Sequence, residues 1–250
     1  SQVSEINKGL DEQVQAFRTR ALAEEYPVLW VDAIYEKIRD NGKVISEAVL
    51  VIYGVNLEGK REILAVEPMY EESEACWGAV FESLQARGLK KVWLVISDAH
   101  RGIQAAVRRR FLGTSWQRCK VHLMRNILAR VQQRDKKAFA GKLKQIWVQP
   151  DRKSAVRTAK IFMAEYRSRY PEAVTVLAEG LEDSLQFYAF PEFDHRKIAS
   201  TNVLERMFRE VRRRSRVVGV FPSDEAYIRL LTCYLIEYSE DWFSEKSYIN

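Results

Sequence analysis

Short, almost unbroken apolar runs constrain the fold of this chain more than any other feature. They occupy residues 28–35, 46–55, 62–67 and 92–97. Runs of this length between turn or helix signals are typical of strands that are buried on both faces. Asn41-Gly42 predicts a hairpin after the first run. The first three strands are therefore expected to form an antiparallel meander.

Helical periodicity fills most of the remaining chain. Predicted helices cover residues 1–25, 73–87, 102–111, 122–133, 201–218 and 225–238, the pattern over 134–195 is helical only, and 115–119 is a short fifth strand. Pro27 is expected to end the first helix, and Ser73 to cap the second. This order predicts an α/β, ribonuclease-H-like mixed sheet with flanking helices and an all-helical insertion.

Composition excludes several classes of protein. The 250 residues include 11% aromatic residues and only three cysteines, which excludes a disordered chain and a disulfide framework. No apolar run reaches membrane-spanning length and no signal peptide opens the chain, so we expect a reduced, cytoplasmic protein without a membrane partner. There is no phosphate-binding glycine loop and no nucleophile elbow, which argues against a small-molecule substrate.

The charge is concentrated in the middle of the chain. Residues 99–216 contain 27 Lys/Arg against 11 Asp/Glu, a net charge of +16, whereas residues 1–98 have a net charge of −6. Clustered basic residues are typical of proteins that bind a phosphate backbone. Solvated helix faces are the alternative interpretation. The pattern favours DNA as a partner.

Three acids occupy positions that suit metal-dependent chemistry. Asp32 interrupts an apolar strand, Asp98 directly follows another, and Glu205 lies in the predicted helix over 201–218. A charge in a buried strand is costly unless it is paired or binds a metal. Carboxylates on rigid elements suit two-metal phosphoryl transfer with Mg²⁺. Spacing alone does not select these three from 34 acids, and each one separately fits an ordinary salt bridge or cap.

Five motifs in order resemble those of Mutator-type transposases of bacterial insertion sequences. They are Trp30-Val31-Asp32-Ala33, Ile96-Ser97-Asp98-Ala99-His100-Arg101-Gly102, Trp116-Gln117-Arg118-Cys119-Lys120-Val121-His122-Leu123-Met124-Arg125-Asn126, Thr201-Asn202-Val203-Leu204-Glu205-Arg206, and Arg212-Arg213-Arg214-Ser215-Arg216-Val217-Val218-Gly219-Val220-Phe221-Pro222. The resemblance extends from about residue 26 to about residue 245.

The resemblance implies a DDE transposase catalytic domain. Asp32, Asp98 and Glu205 would be the catalytic, metal-binding acids, with Mg²⁺ as cofactor and Mn²⁺ as a substitute. The implied reaction cleaves DNA at transposon ends and joins the 3′-hydroxyl to target DNA, and the two ends suggest a homodimer. The implied division is an N-terminal helical segment at 1–25, ribonuclease-H-like parts at 26–127 and 197–250, and a helical insertion at 128–196. The residues before the first strand are too few for the family's end-binding domain.

Four residues near the acids are candidates for supporting roles. Cys119 and His122 form the family's C-x-x-H signature, and a closed zinc site would require two further ligands. A packed cysteine with a histidine that bonds near the active site or contacts DNA is favoured over zinc. His100 could support Asp98, touch a phosphate or be an ordinary surface histidine. Arg206 follows Glu205 directly.

A row of arginines shares one helical face with Glu205. At 100° per residue, Arg209, Arg212, Arg213 and Arg216 lie on broadly the same side as the acid. They are predicted to contact DNA together with Arg125 and Asn202 in the motifs, and a solvated helix face is the alternative.

Two other functions remain open at this point. One is a DNA-binding module that has lost catalysis, which the presence of all three acids disfavours. The other is a ribonuclease-H-like, structure-specific nuclease, which shares the metal chemistry but makes no strand-transfer product.

Overall fold

A five-stranded mixed sheet forms the centre of the molecule. The computed structural model describes residues 2–69, 73–240, 242, 248 and 249. The strands are β1 (Glu25–Asp40), β2 (Lys43–Val55), β3 (Arg61–Met69), β4 (Lys91–Ser97) and β5 (Ser115–Arg118). Their order is β3-β2-β1-β4-β5. β1, β2 and β3 pair antiparallel, and β4 and β5 continue the sheet in parallel with β1. The predicted mixed sheet with flanking helices is confirmed.

The first strand is longer than its apolar run suggests. The first helix, α1 (Gln2–Thr19), ends well before Pro27, so the prediction that this proline ends it is wrong. Pro27 lies inside β1, where its missing N–H is tolerated because the ladder to β4 uses Tyr26 and Val28 on either side.

The hairpin prediction is confirmed, since the φ angles are positive at both turn residues, 45° at Asn41 and 79° at Gly42.

Two helices cover one face of the sheet. These are α2 (Glu74–Ala86) and α3 (Arg101–Arg110). The Ser73 hydroxyl accepts a bond from Cys76 N at 3.3 Å, which caps α2 as predicted. Trp77 and Phe81 of α2 are almost fully buried in a cluster with Leu29 and Val31 of β1. The packing of these side chains fixes the helices on the sheet.

The opposite face carries the elements that bring the motifs together. They are α4 (Lys120–Leu128), α9 (Asn202–Ser215) and α10 (Asp224–Glu240). Buried Trp30 and Ile34 of β1 share one cluster with Leu204 of α9 and Leu231 of α10. The far end of β1 is also held, because Arg39 N donates to Phe221 O at 2.8 Å.

Every element between β5 and α9 is a helix or a 3-10 turn. After α4 come α5 (Lys136–Leu143), α6 (Arg152–Tyr166), α7 (Pro171–Gly180) and α8 (His195–Ile198), with 3-10 helices at Lys144–Val148 and Glu182–Ala189. Buried Gln117 of β5 fastens this segment to the sheet: its Nε2 donates to Ser184 O at 2.8 Å and its Oε1 accepts from Phe187 N at 2.9 Å. The division at 128–196 stays a prediction.

Within the part of the chain that is described, no helix combines the length and apolar character that a membrane crossing requires.

Candidate functional site

Two of the predicted acids lie near the same level of the sheet, Asp32 within β1 and Asp98 directly after the neighbouring parallel strand β4. The register between β1 and β4 pairs Trp30 with Ile96. Asp32 and Asp98 each follow two residues later, and adjacent strands are separated by about 5 Å. Since ligands of such sheets gather where parallel strands end, this level of the sheet is a natural site for chemistry.

The surroundings of Asp32 disfavour its charged form. Burial is the main cause that raises the pKa of Asp32 to about 6, and the nearby Asp98 carboxylate also raises it. Opposing contributions come from His122, from a bond donated by Ala33 N at 2.9 Å, and from the Thr201 hydroxyl. A cation near these two acids would stabilise their ionised forms.

Glu205 reaches the same region from α9 and is held by two basic side chains of α4. Arg125 Nη1 lies 2.7 Å from Glu205 Oε1, and Arg125 Nη2 donates to Oε2 at 2.8 Å. His122 Nε2 lies 3.1 Å from Oε1. The pKa of His122 is raised to about 9, chiefly by its interaction with Cys119 and further by Asp32 and Glu205, which outweigh burial. A protonated His122 therefore faces the acids at neutral pH.

The cysteine of the C-x-x-H signature connects two segments of the site, one before α4 and one before α9. Cys119 is fully buried, and its Sγ accepts bonds from Thr201 N at 3.3 Å and from Thr201 Oγ1 at 3.4 Å. Backbone bonds reinforce the junction, since Lys120 N donates to Ala199 O at 3.0 Å. The signature thus connects the start of α4 to the start of α9.

His100 has a structural role in this conformation. Its Nδ1 accepts a bond from Gly102 N at 3.2 Å and caps α3, while its backbone N–H donates to Asp98 Oδ1 at 3.2 Å. The ring lines a second cavity of about 340 Å³ together with Asp98. Because a histidine ring is an uncommon helix cap, this arrangement could not be predicted from local sequence.

The arginines of α9 line the cleft that contains Asp32 and Glu205. This cleft has a volume of about 550 Å³, and its basic lining residues are His122, Arg125, Arg209, Arg212, Arg213 and Arg216. The helical face inferred from spacing is therefore present. Arg214 points elsewhere, since its Nη1 donates to Glu237 at 2.9 Å. His122 and Arg125 also line the smaller cavity of Asp98.

Three of the predicted site residues, Cys119, Asn202 and Arg206, line neither cavity, and two other residues near the site were missed. Arg206 and Asn202 are exposed, and neither lines the two cavities described above. The sequence predicts Thr201 only as a helix cap, yet its backbone N–H and its hydroxyl both donate to Cys119 Sγ. The sequence predicts no separate role for Arg118; burial lowers its pKa, and the carboxylates of Asp183 and Asp98 oppose this shift.

The donor chemistry fits a hard divalent cation, although the acids are not gathered around one point. Among the described residues, no group of three or more His, Cys, Asp or Glu side chains is placed to hold a metal ion. Glu205 is engaged by Arg125 and His122 instead. Asp32 in β1 and Asp98 directly after β4 offer oxygen ligands, and burial raises the pKa of Asp32 despite the nearby His122.

Comparison with known proteins gives the family. A model described as "Transposase, Mutator family" matches residues 1–245. The chain is 38% identical over its whole length to the transposase for insertion sequence element ISRM5 of Rhizobium meliloti, of which it covers 63%. It is 40% identical to the transposase for IS1081 of Mycobacterium tuberculosis, covering 60% of that protein.

Another relative and one solved structure complete the comparison. The transposase for IS256 in transposon Tn4001 of Staphylococcus aureus is 35% identical over 99% of this chain and 64% of its own length. The chain therefore spans less than two thirds of these relatives. The Drosophila P element transposase strand transfer complex is similar over 94% of this chain and 70% of that chain, with 11% identity and a TM-score of 0.31, which is too loose to support an argument. The resemblance seen in the motifs is confirmed, and the chain belongs to the Mutator family of transposases.

Proposed function

We propose that this chain is the catalytic part of a DDE transposase that cleaves DNA at transposon ends and transfers the resulting 3′-hydroxyl to target DNA. One observation carries the proposal: the cleft that holds Asp32 and Glu205 is lined along one side by arginines of α9. Phosphodiester chemistry requires acids for metal ions and cations for the DNA backbone at one place. The strand order supports a ribonuclease-H-like fold with the helical segment as its insertion.

Asp32, Asp98 and Glu205 would hold Mg²⁺, or Mn²⁺ in its place. When bound, the ions activate the attacking oxygen and stabilise the leaving oxygen of an in-line displacement. The fit is clearest for Asp32 and Asp98, because each comes two residues after the paired Trp30 and Ile96. Glu205 completes the set once Arg125 releases it.

The remaining residues of the cleft would orient the DNA. Arg209, Arg212, Arg213 and Arg216 lie on the face of α9 that lines the cleft, where their guanidinium groups can bind phosphate oxygens. Arg125 can exchange its contact with Glu205 for a phosphate. His122 supplies a further positive charge between the acids. Transposon-end and target DNA are the proposed substrates, a homodimer the proposed assembly on DNA, and the cytoplasm the proposed compartment.

A strand-transfer assay tests this function. Pre-cleaved transposon-end DNA and a plasmid target are incubated with Mg²⁺ or Mn²⁺ and a protein of the relatives' full length that contains this chain. We expect joined product from the parent protein and none from Glu205→Gln, which removes the charge of the third acid but keeps its size.

The other outcomes separate the alternatives. Nicked DNA without joined product would favour a structure-specific nuclease. DNA binding without any cleavage, by parent and variant alike, would favour a module that has lost catalysis. Equal joined product from both proteins would exclude Glu205 from the site.

A further inference from the structure

A stripe of exposed cations runs along α6, the longest helix between β5 and α9. We call it the α6 stripe, and it consists of Lys153, Arg157, Lys160 and Arg167, all of them exposed. At 100° per residue, the four positions lie within about 40° of one line along the helix. Arg167 belongs to this line because its backbone keeps helical angles just after α6. The first three residues also line a cavity of about 810 Å³ that shares no lining residue with the cleft.

The α6 stripe is not neutralised by acids of the chain. Within the described ranges, none of its four cations forms an ion pair. Other exposed cations of the same helical segment do have acid partners: Arg130 pairs with Glu172, Lys142 with Glu165, and Arg169 with Asp135. Asp151, which also lines the cavity, is used as the cap of α6 and accepts bonds from Ser154 N at 2.8 Å and Ser154 Oγ at 3.0 Å.

This arrangement of charge is unfavourable for the helix itself. Lys153 and Arg157 are four residues apart, and Arg157 and Lys160 are three apart, so like charges face each other along the surface. Arg152 and Lys153 also lie in the first turn, where the positive end of the helix dipole disfavours cations. An anionic partner bound along the stripe would relieve both effects.

Packing holds the α6 stripe at a fixed position relative to the cleft. The helix α6 packs on α7, and α7 packs on α4, which contributes residues to the cleft. Arg130, two residues after α4, pairs with Glu172 of α7 at 2.8 Å. From Lys153 to Arg167 the stripe is about 21 Å long at the rise of an α-helix. That length corresponds to about six base pairs of duplex DNA.

Resting on the proposed function, we propose that the α6 stripe binds the phosphate backbone of the transposon-end duplex outside the cleft. The end DNA takes part in both cleavage and joining, whereas target DNA enters only for joining. A preformed surface that is fixed relative to the cleft therefore suits the end DNA. Contacts of this kind position a duplex without reading its sequence.

The test compares two triple variants with the same change in net charge. One combines Lys153→Gln, Arg157→Gln and Lys160→Gln in the stripe. The control combines Arg130→Gln, Lys142→Gln and Arg169→Gln, which removes three exposed cations of the same segment that have acid partners.

Each protein has the relatives' full length and is titrated with a fluorescent transposon-end duplex, without target DNA, at several salt concentrations. Thermal unfolding and strand transfer into a plasmid are measured on the same samples.

We expect the stripe variant to bind the end duplex more weakly and to lose about 2–3 from the slope of log K against log salt, at about 0.9 for each phosphate contact. Its midpoint of thermal unfolding should be equal to that of the parent or higher, because repulsion along α6 is relieved. The control should keep the slope of the parent.

Two results would overturn the inference. Equal losses of slope in both variants would show that only net charge matters. End binding like that of the parent, with weaker joining into the plasmid, would show that the stripe serves target DNA instead.

The Glu205→Gln protein separates this inference from the function on which it rests. If the parent transfers strands, Glu205→Gln does not, and the stripe variant binds the end duplex as the parent does, only the role of α6 is wrong. If the parent neither binds the end duplex nor transfers strands, the proposed function itself is contradicted.

Discussion

Arg125 holds both carboxylate oxygens of Glu205, with Nη1 2.7 Å from Oε1 and Nη2 2.8 Å from Oε2. The arginine comes from α4 and the acid from α9, 80 residues later in the chain. The side chain of Arg125 is 57% exposed, and ion pairs of exposed arginines contribute at most about 1 kcal/mol. The contact therefore holds Glu205 in place, yet little free energy is needed to break it.

Removal of Arg125 should move metal binding and DNA binding in opposite directions. Arg125→Gln frees Glu205, so we expect tighter Mn²⁺ binding by the DNA-free protein, measured by electron paramagnetic resonance. The same variant should bind DNA several-fold more weakly because a cation of the cleft is lost. Arg130→Gln, which removes an exposed arginine of the same region paired with Glu172, is the control. Unchanged Mn²⁺ affinity would show that Arg125 does not compete for Glu205.

Neutralising Asp32 should stabilise the metal-free protein in a pH-dependent way. The pKa of Asp32 is raised from 3.8 to about 6, so ionisation is more costly in the folded than in the unfolded chain. The stability of the parent should fall as pH rises from about 4 to about 6. Asp32→Asn has no carboxylate to ionise. Its free energy of unfolding should therefore exceed that of the parent by about 3 kcal/mol above pH 6 and by almost nothing below pH 4.

Denaturant unfolding in a chelator at several pH values measures this difference in the free energy of unfolding. Glu58→Gln, which neutralises an exposed carboxylate in the turn before β3, is the control for the substitution itself. A difference between Asp32→Asn and the parent that is independent of pH would contradict the raised pKa.

The arginine row of α9 should determine how DNA binding depends on salt. Each phosphate contact on duplex DNA contributes about 0.9 to the slope of log K against log salt. Arg212→Ala with Arg213→Ala should therefore reduce the slope by about 2 and weaken binding to all sequences alike. Arg109→Ala is the matched control, because Arg109 lies on α3 beyond the opposite face of the sheet and pairs with Glu74. Equal slopes for both variants would show that Arg212 and Arg213 do not contact the DNA.

Gly180 should not tolerate a methyl group, although it ends a helix. A Cβ at this position would lie 2.8 Å from Leu123 Cδ1 and would also meet the guanidinium of Arg118. Both neighbours belong to the connection between α4, β5 and the helical segment, so we expect Gly180→Ala to lower the free energy of unfolding by about 1–3 kcal/mol. Thermal or urea unfolding measures the change.

Gly141 provides the opposite case. A Cβ there would meet nothing within 4 Å, and the residue lies inside α5. Gly141→Ala should stabilise the protein by up to about 1 kcal/mol through helix propensity. Destabilisation by both substitutions would indicate that the space around Gly180 is not the cause.

Local sequence patterns were sufficient to predict the strands, the hairpin and the face of α9 that lines the cleft. Apolar runs predicted the strands, Asn41-Gly42 predicted the hairpin, and the 100° periodicity placed Arg209 and Arg216 on the face of Glu205. These features depend on interactions between residues close in sequence, so they can be predicted from the sequence alone. The ends of β1 were missed because the sheet continues through charged residues and Pro27, where pairing with neighbouring strands replaces apolar burial.

The tertiary structure decided what surrounds the acids. Thr201 and Cys119 are 82 residues apart, and Gln117 bonds Phe187 from 70 residues away. No periodicity or turn signal reports such pairs, because they form only when β1, β4 and β5 set a register and α4 and α9 pack on it. The sequence by itself determined the family, the order of strands and the candidate acids. The register of the sheet and the packing of two helices decided that Arg125 engages Glu205 and Thr201 bonds Cys119, because folding brings partners together in space rather than along the chain.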